Sequence, residues 1–307
     1  MVEDPIAMKT SLDCIPCILR QTIDAARFIS EDPNYQYKTM QDALGWLQEM
    51  DLNLSPPAIA QMIHRNLRRQ SFNADPYQEI KKKQNQLALD MIPDLRLKIQ
   101  FAPDPLIFAA RLAIAGNVID LGVNGNLKSS DIRQAIDRVL SENFIGEAEE
   151  FRRAVADAHS ILYLADNAGE IVFDRLLIEQ LRPERVTLVV RGMPVINDAT
   201  LDDAREAGLD KIVKVIGNGS DAPGTTLEDC SSEFQQLFRE ADLIIAKGQG
   251  NFETLDEVPA TIFFLFKVKC QMFAGLVNQP IGTQILIRGK ESNSRHFMEK
   301  NNKKRYH

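Results

Sequence analysis

Ile161-Leu162-Tyr163-Leu164-Ala165-Asp166-Asn167-Ala168-Gly169-Glu170-Ile171-Val172-Phe173-Asp174-Arg175-Leu176-Leu177-Ile178 decides how this chain is read. Its first five residues form an apolar run of buried-strand length, and from Ile171 the apolar positions recur with helical spacing. A polar loop lies between them. Strand, loop, helix is the unit from which an open α/β sheet builds its ligand site, outside the carboxyl ends of the strands. Asp166 and Asn167 put two oxygen-bearing side chains at such an end, where they can hold a hard metal ion. Ala168-Gly169 then opens a helix whose unpaired N–H groups attract an anion, with Gly169 as the point of approach. The same residues also suit a plain turn with a helix cap. The stretch by itself leaves both readings open.

Downstream the unit repeats. Residues 185–190, 211–216, 242–246, 261–266 and 283–287 read as short strands, with helices near 201–207 and 233–240 between them. Such alternation predicts a mostly parallel sheet covered by helices on both faces, a Rossmann-like α/β/α domain over 156–289. Upstream, residues 1–155 read as an all-helical domain. Ile15, Ile18, Leu19, Thr22, Ile23 and Ala26 fall on one helical face, and Ser55-Pro56-Pro57, Asp75-Pro76, Asp104-Pro105 and Ser129-Ser130-Asp131 look like helix starts. Residues 290–307, with Lys300, Lys303, Lys304 and Arg305, read as a flexible basic tail.

In a parallel sheet the loops after the strands emerge on one edge, and the polar residues of this chain gather there. Asp166 and Asn167 follow the first strand; Arg191, Asn197 and Asp198 the second; Gly217-Asn218-Gly219-Ser220-Asp221 the third; Lys247 and Asn251 the fourth. Asp166, Asn167 and Asp198 are hard oxygen donors suited to magnesium, manganese or a similar divalent ion. Lys247 can neutralise a phosphoryl oxygen, Arg191 can grip a phosphate bidentately, and Asn251 stands ready beside them. The Gly-rich loops can bring backbone N–H groups to an anion. The expected chemistry is phosphoryl hydrolysis, with water on the metal as the simplest nucleophile and Asp166 as a less favoured covalent one. A solvated lysine and two helix caps would account for the same residues one at a time; their joint placement on one edge favours a site.

The bulk numbers narrow the class. With 307 residues, 44% hydrophobic and 26% charged, the chain has an ordinary globular balance. A net charge of −7 argues against a general nucleic-acid binder. No apolar run is long enough to span a membrane and no signal pattern opens the chain, so a cytoplasmic location is expected. Four histidines (His64, His159, His296, His307) form no ligand-like pair.

Leu164-Ala165-Asp166-Asn167-Ala168-Gly169-Glu170, Val190-Arg191-Gly192 with Ile196-Asn197-Asp198-Ala199-Thr200, and Lys247-Gly248-Gln249-Gly250-Asn251-Phe252-Glu253 together resemble the domain of unknown function 89 family, the damage-control phosphatases. The Cys14-Ile15-Pro16-Cys17 pair and Ala115-Gly116-Asn117-Val118-Ile119-Asp120 resemble its cysteine-bearing prokaryotic branch. The resemblance implies a helical domain joined to a Rossmann-like one. It implies a phosphatase dependent on a divalent ion (manganese, magnesium, nickel or cobalt) and acting on small phosphorylated metabolites, such as sugar phosphates or damaged phospho-metabolites. It makes Asp166, Asn167 and Asp198 the metal ligands and Lys247 the phosphate contact, and it puts Asn117 in the pocket. A carboxyl methyltransferase is an alternative within the same resemblance, but no Gly-x-Gly-x-Gly loop follows the first strand. A non-catalytic binder of a nucleotide or sugar phosphate remains open too.

The chain has four cysteines, Cys14, Cys17, Cys230 and Cys270. The Cys14/Cys17 spacing fits helix-packing thiols, a thiol redox pair at a helix start, or half of a zinc site that Cys230 and Cys270 would complete.

Overall fold

The structure, a computed structural model, describes residues 8–116, 134, 136–138 and 140–289. Asn117 and Asp120, the expected helix start at Ser129-Ser130-Asp131, and the basic tail lie outside the described residues.

The residues that interrupt the apolar patterns are the ones that start helices. α1 (Cys14–Ile29) carries Pro16 in its first turn. α2 (Pro33–Gln48) begins where Asp32 accepts from the Asn34 N–H, and α3 (Pro56–Ser71) where Ser55 accepts from the Ala58 N–H. α4 (Gln78–Leu89) and α5 (Ile92–Gln100) follow, then α6 (Pro105–Ala115), capped by Asp104. Each proline sits where its missing N–H costs no intrahelical bond, and each cap satisfies a donor the helix cannot. α5 is a helix of its own, with Pro93 in its first turn, where the sequence reading ran straight from the fourth helix to the one at Pro105.

The strands are β1 (Phe144–Gly146), β2 (Ile161–Leu164), β3 (Val186–Val190), β4 (Lys214–Gly217), β5 (Leu243–Lys247), β6 (Ile262–Lys267) and β7 (Gln284–Arg288). They form one sheet in the order β1-β7-β6-β5-β2-β3-β4, in which only the β6–β7 pair is antiparallel. The mostly parallel α/β architecture is therefore as expected. β1 is a difference: three residues within the stretch expected to be helical pair with β7, a strand too short to show any periodicity.

Further α-helices with described bounds are α7 (Ala148–Asp157), α8 (Glu170–Ile178), α9 (Leu201–Glu206), α10 (Ser232–Glu240), α11 (Gly248–Leu255) and α12 (Gln271–Val277). Alternation along β2 sends Ile161 and Tyr163 into a core with α5, α6, α7 and α8, and Leu162 and Leu164 into a second core with α10, α11 and α12. Both faces are thus dry, which is why β2 and β5 read as unbroken apolar runs. α4 to α6 belong to the sheet's own core, whereas α1 and α3 build a small separate one around Ile18, Ile59, Ile63 and Leu67. Chain order reverses between β2 and β5, so the loops after these two strands part and leave a crevice at the sheet's carboxyl edge.

Candidate functional site

The loops after β2 and β3 are tied together at that crevice. The Ala168 N–H donates to Asn197 O at 2.9 Å and the Ala199 N–H to Asp166 O at 2.8 Å. These bonds frame an isolated antiparallel bridge between Asn167 and Asp198. Asp166, Asn167 and Asp198, drawn from two strand ends, consequently face one cleft of about 560 Å³. Its other walls come from the first turn of α1 (Cys14, Cys17), from α3 (Pro57, Ala60), and from α11 and the β6–α12 loop (Glu253, Lys269). The volume suits a small organic ligand.

Gly248 sets the position of Asp166. It holds φ at +79°, and a Cβ built on it would lie 2.1 Å from Asp166 Oδ2. The Asp166 carboxylate thus rests on bare backbone where β5 turns into α11. Asn167 Nδ2 donates to Asp166 Oδ2 at 2.9 Å and to Glu170 Oε2 at 3.3 Å. Burial pushes the Asp166 carboxyl well above the usual carboxylate range, and the Glu170 and Asp198 charges push it the same way. Burial also raises Asp198, against the pull of the Arg191 guanidinium. Crowded, buried carboxylates of this kind ionise readily once a cation offsets them.

That crowding and the hardness of the donors fit a divalent ion held by Asp166, Asp198 and the Asn167 carboxamide oxygen. Among the described residues no three His, Cys, Asp or Glu side chains gather closely enough to hold a metal. Asp166 and Asp198 would give such an ion two charged protein ligands.

The other expected site residues stand elsewhere. Arg191 is buried behind the carboxylates, its Nε donating to Asp198 Oδ2 at 2.6 Å and its Nη1 to Asn251 Oδ1 at 3.3 Å. Asn251, fully buried, also donates to Lys247 O at 2.7 Å and accepts from Thr225 Oγ1 at 2.8 Å. Arg191 holds the Asp198 carboxylate from behind and Asn251 supports Arg191; neither lines the cleft. Gly169 does not offer its N–H to an anion, because Asn85 Oδ1 accepts it at 2.7 Å. The loop after β4 is likewise turned inward: Asn218 Oδ1 accepts from the Gly192 and Ser220 N–H groups.

Lys247 is the largest departure. Its Nζ is sealed from solvent and donates to Ala113 O at 2.8 Å, Glu170 Oε1 at 2.5 Å and Asp174 Oδ1 at 2.7 Å. An ammonium has three donors, and all three are used. Its side chain leaves β5 on the face covered by α6 and α8, so it does not reach the cleft.

The cation that does line the cleft is Lys269, the only basic side chain among the described residues of its wall. Its charge lowers the pKa of Asp166, Asp198 and Glu253. No sequence motif quoted above contains Lys269, although it lies just past the end of β6. Glu253 closes the Lys247–Glu253 motif, and burial lifts its carboxyl to about 8. Three of the cysteines also face the cleft: Cys14, Cys17 and Cys270. All four are free thiols, and Cys230 is buried elsewhere, so the four do not assemble into one zinc site. Among the described residues no helix is long and apolar enough to cross a membrane.

Residues 10–285 match the family model of the damage-control phosphatase ARMT1-like domain. A damage-control phosphatase of Pyrococcus horikoshii is 35% identical over 289 residues, covering 92% of this chain and 99% of that protein. One from Archaeoglobus fulgidus is 33% identical over 288 residues, covering 91% and 98%. An uncharacterised protein of Methanocaldococcus jannaschii is 34% identical over 307 residues, covering 92% and 96%. The crystal structure of a domain-of-unknown-function-89 protein from P. horikoshii superposes with a TM-score of 0.83 at 34% identity, covering 92% of this chain and all of that one.

Proposed function

The chain belongs to the damage-control phosphatase ARMT1-like domain family, and from that premise we propose that it is a divalent-metal-dependent phosphatase acting on small phosphorylated metabolites. One observation carries the reading: Asp166, Asn167 and Asp198 face the same cleft as Lys269, at the switch point of the sheet. Three hard oxygen donors and one ammonium are what a phosphomonoester needs from its host.

Asp166, Asn167 and Asp198 would hold the metal ion. When bound, that ion neutralises phosphoryl charge and makes the phosphorus a better electrophile. Lys269 pairs with the phosphoryl oxygens and takes the role the sequence reading had assigned to Lys247. Arg191 keeps the Asp198 carboxylate aimed at the cleft through its Nε, and Gly248 keeps the Asp166 carboxylate seated. Burial raises the Glu253 carboxyl to about 8 against the pull of Lys269, which lessens the negative charge it turns toward an anionic substrate. The attacking group is water. The Asp166 carboxylate, wedged between Gly248 and the Asn167 amide, has little freedom to move onto phosphorus.

The test is phosphate release from p-nitrophenyl phosphate and a panel of sugar phosphates with each of several divalent ions. Asp166→Ala is expected to abolish it, and Lys269→Ala to raise KM about tenfold or more, as loss of a charge-assisted contact does. Undiminished turnover in Asp166→Ala would remove the proposed site. Stabilisation by phosphate esters with no turnover under any metal would make the protein a binder instead.

A further inference from the structure

Asn167 can serve as a hard ligand only with its carbonyl end toward the cleft, and the two ends of a carboxamide have nearly the same shape. The structure distinguishes them by contact. Among the described residues both hydrogen bonds of the side chain are made by Nδ2, to Asp166 Oδ2 at 2.9 Å and to Glu170 Oε2 at 3.3 Å. Glu170 is a buried residue in the first turn of α8, and its other oxygen, Oε1, accepts from Lys247 Nζ at 2.5 Å. Lys247 is in turn anchored on Asp174, which accepts a further bond from Tyr163 Oη at 2.8 Å. The chain Lys247–Glu170–Asn167 thus runs from the end of β5, beneath α6 and α8, to the back of the site. A purely structural ion pair at this place would need no second carboxylate oxygen turned toward Asn167.

We infer that Lys247 and Glu170 are positioning residues: Lys247 clamps Glu170 so that Glu170 holds the amide end of Asn167 inward and presents its carbonyl oxygen to the metal. The inference rests on the metal-site reading above and assigns Lys247 a task other than phosphate binding. Neighbours of metal ligands commonly act in this way, by fixing the orientation of a ligand they do not replace.

The test is binding of manganese(II) alone, by titration calorimetry without substrate, so that it does not depend on turnover. Glu170→Gln keeps the shape of the side chain. With Lys247 fixing the carbonyl end of the substituted carboxamide, its NH2 would face the Asn167 NH2, and two donors cannot pair. Asn167 would turn over, and manganese affinity should fall roughly tenfold to a hundredfold, the usual cost of losing such a partner. Asp174→Asn also weakens the Lys247 ion pair but leaves the Glu170–Asn167 bond intact, so its affinity should stay within about twofold of the parent protein, less than such a partner costs. A carboxylate has no wrong end, so Asn167→Asp combined with Glu170→Gln should bind manganese at least as tightly as Asn167→Asp alone. That comparison decides the matter should Glu170→Gln by itself fold poorly. Unchanged affinity in Glu170→Gln, an equal loss in Asp174→Asn, or a loss in the double variant relative to Asn167→Asp would overturn the inference. Manganese binding that survives Asp166→Ala, or none in the parent protein, would instead overturn the metal-site reading, and the inference with it.

Discussion

At the scale of single residues, the site is set by what stands directly behind each carboxylate. Gly248 is a clear case, because its positive φ and the missing Cβ both serve Asp166. Gly248→Ala must move the carboxylate and also strain the backbone by about 1–2 kcal/mol. The expected result is a folded protein whose kcat/KM on p-nitrophenyl phosphate drops on the order of a hundredfold, the effect of displacing a reacting group by about 1 Å. A variant with full activity would show that Asp166 is not held there. The two lysines make the complementary point. Lys247 closes β5 and Lys269 lies just past β6, yet one is consumed by Glu170, Asp174 and Ala113 O while the other lines the cleft. Strand position alone does not distinguish them, because the final outward or inward turn of a side chain depends on which helix covers it.

At the scale of elements, α3 carries a pH dependence. His64 lies buried on it, with its Nε2 lacking a hydrogen-bond partner among the described residues. Burial, and then the Arg68 charge, push its imidazole down to about 4, against the pull of Asp221. The fold therefore accommodates neutral His64 and resists the imidazolium. A group whose folded pKa lies below its unfolded value contributes fully above the unfolded value and loses that contribution as pH falls toward the folded one. The window here runs from 6.5 down to about 4. Between pH 7 and 5 this residue should cost about 2 kcal/mol of stability. Asp166 and Asp198, raised by burial, act with the opposite sign over acid pH. The measurement is therefore a difference: urea midpoints at the two pH values for the parent protein and for His64→Leu. The variant should lose less stability on acidification by roughly that amount. Parallel losses would show that His64 does not titrate as described.

At the scale of the whole molecule, the cleft exists because a small helical cap is held against a sheet edge. Asp221, in the loop after β4, is the main tie. It pairs with Arg65 at 2.6 Å, with Arg68, and with Gln61 at 2.7 Å, all on α3. Arg68 also donates to Pro194 O at 2.7 Å, in the loop after β3. Asp221→Ala removes the carboxylate partner of Arg68 and one of the two that Arg65 has, Asp229 being the other, at a cost of about 1–3 kcal/mol. Because α3 supplies Pro57 and Ala60 to the cleft wall, KM should rise along with the loss seen by chemical denaturation. Unchanged KM and midpoint would show that the cap is held by its apolar contacts alone. Much of this architecture could be read from the chain itself. Buried parallel strands declare themselves as short apolar runs, helix starts as Ser or Asp before proline, and the carboxyl edge as the place where polar residues follow strands. Local chemistry dictates these features, and it was enough to bring Asp166, Asn167 and Asp198 to one sheet edge, where they face one cleft. What local chemistry could not contain was contact between residues distant in sequence. The pairing of β1 with β7, the sealing of Lys247 beneath α6 and α8, the capture of the Gly169 N–H by Asn85, and the arrival of Lys269 at the cleft were decided only by tertiary packing. Each depends on which buried partner a donor or charge meets once water is gone, and a strand's sequence does not say which helix will cover it.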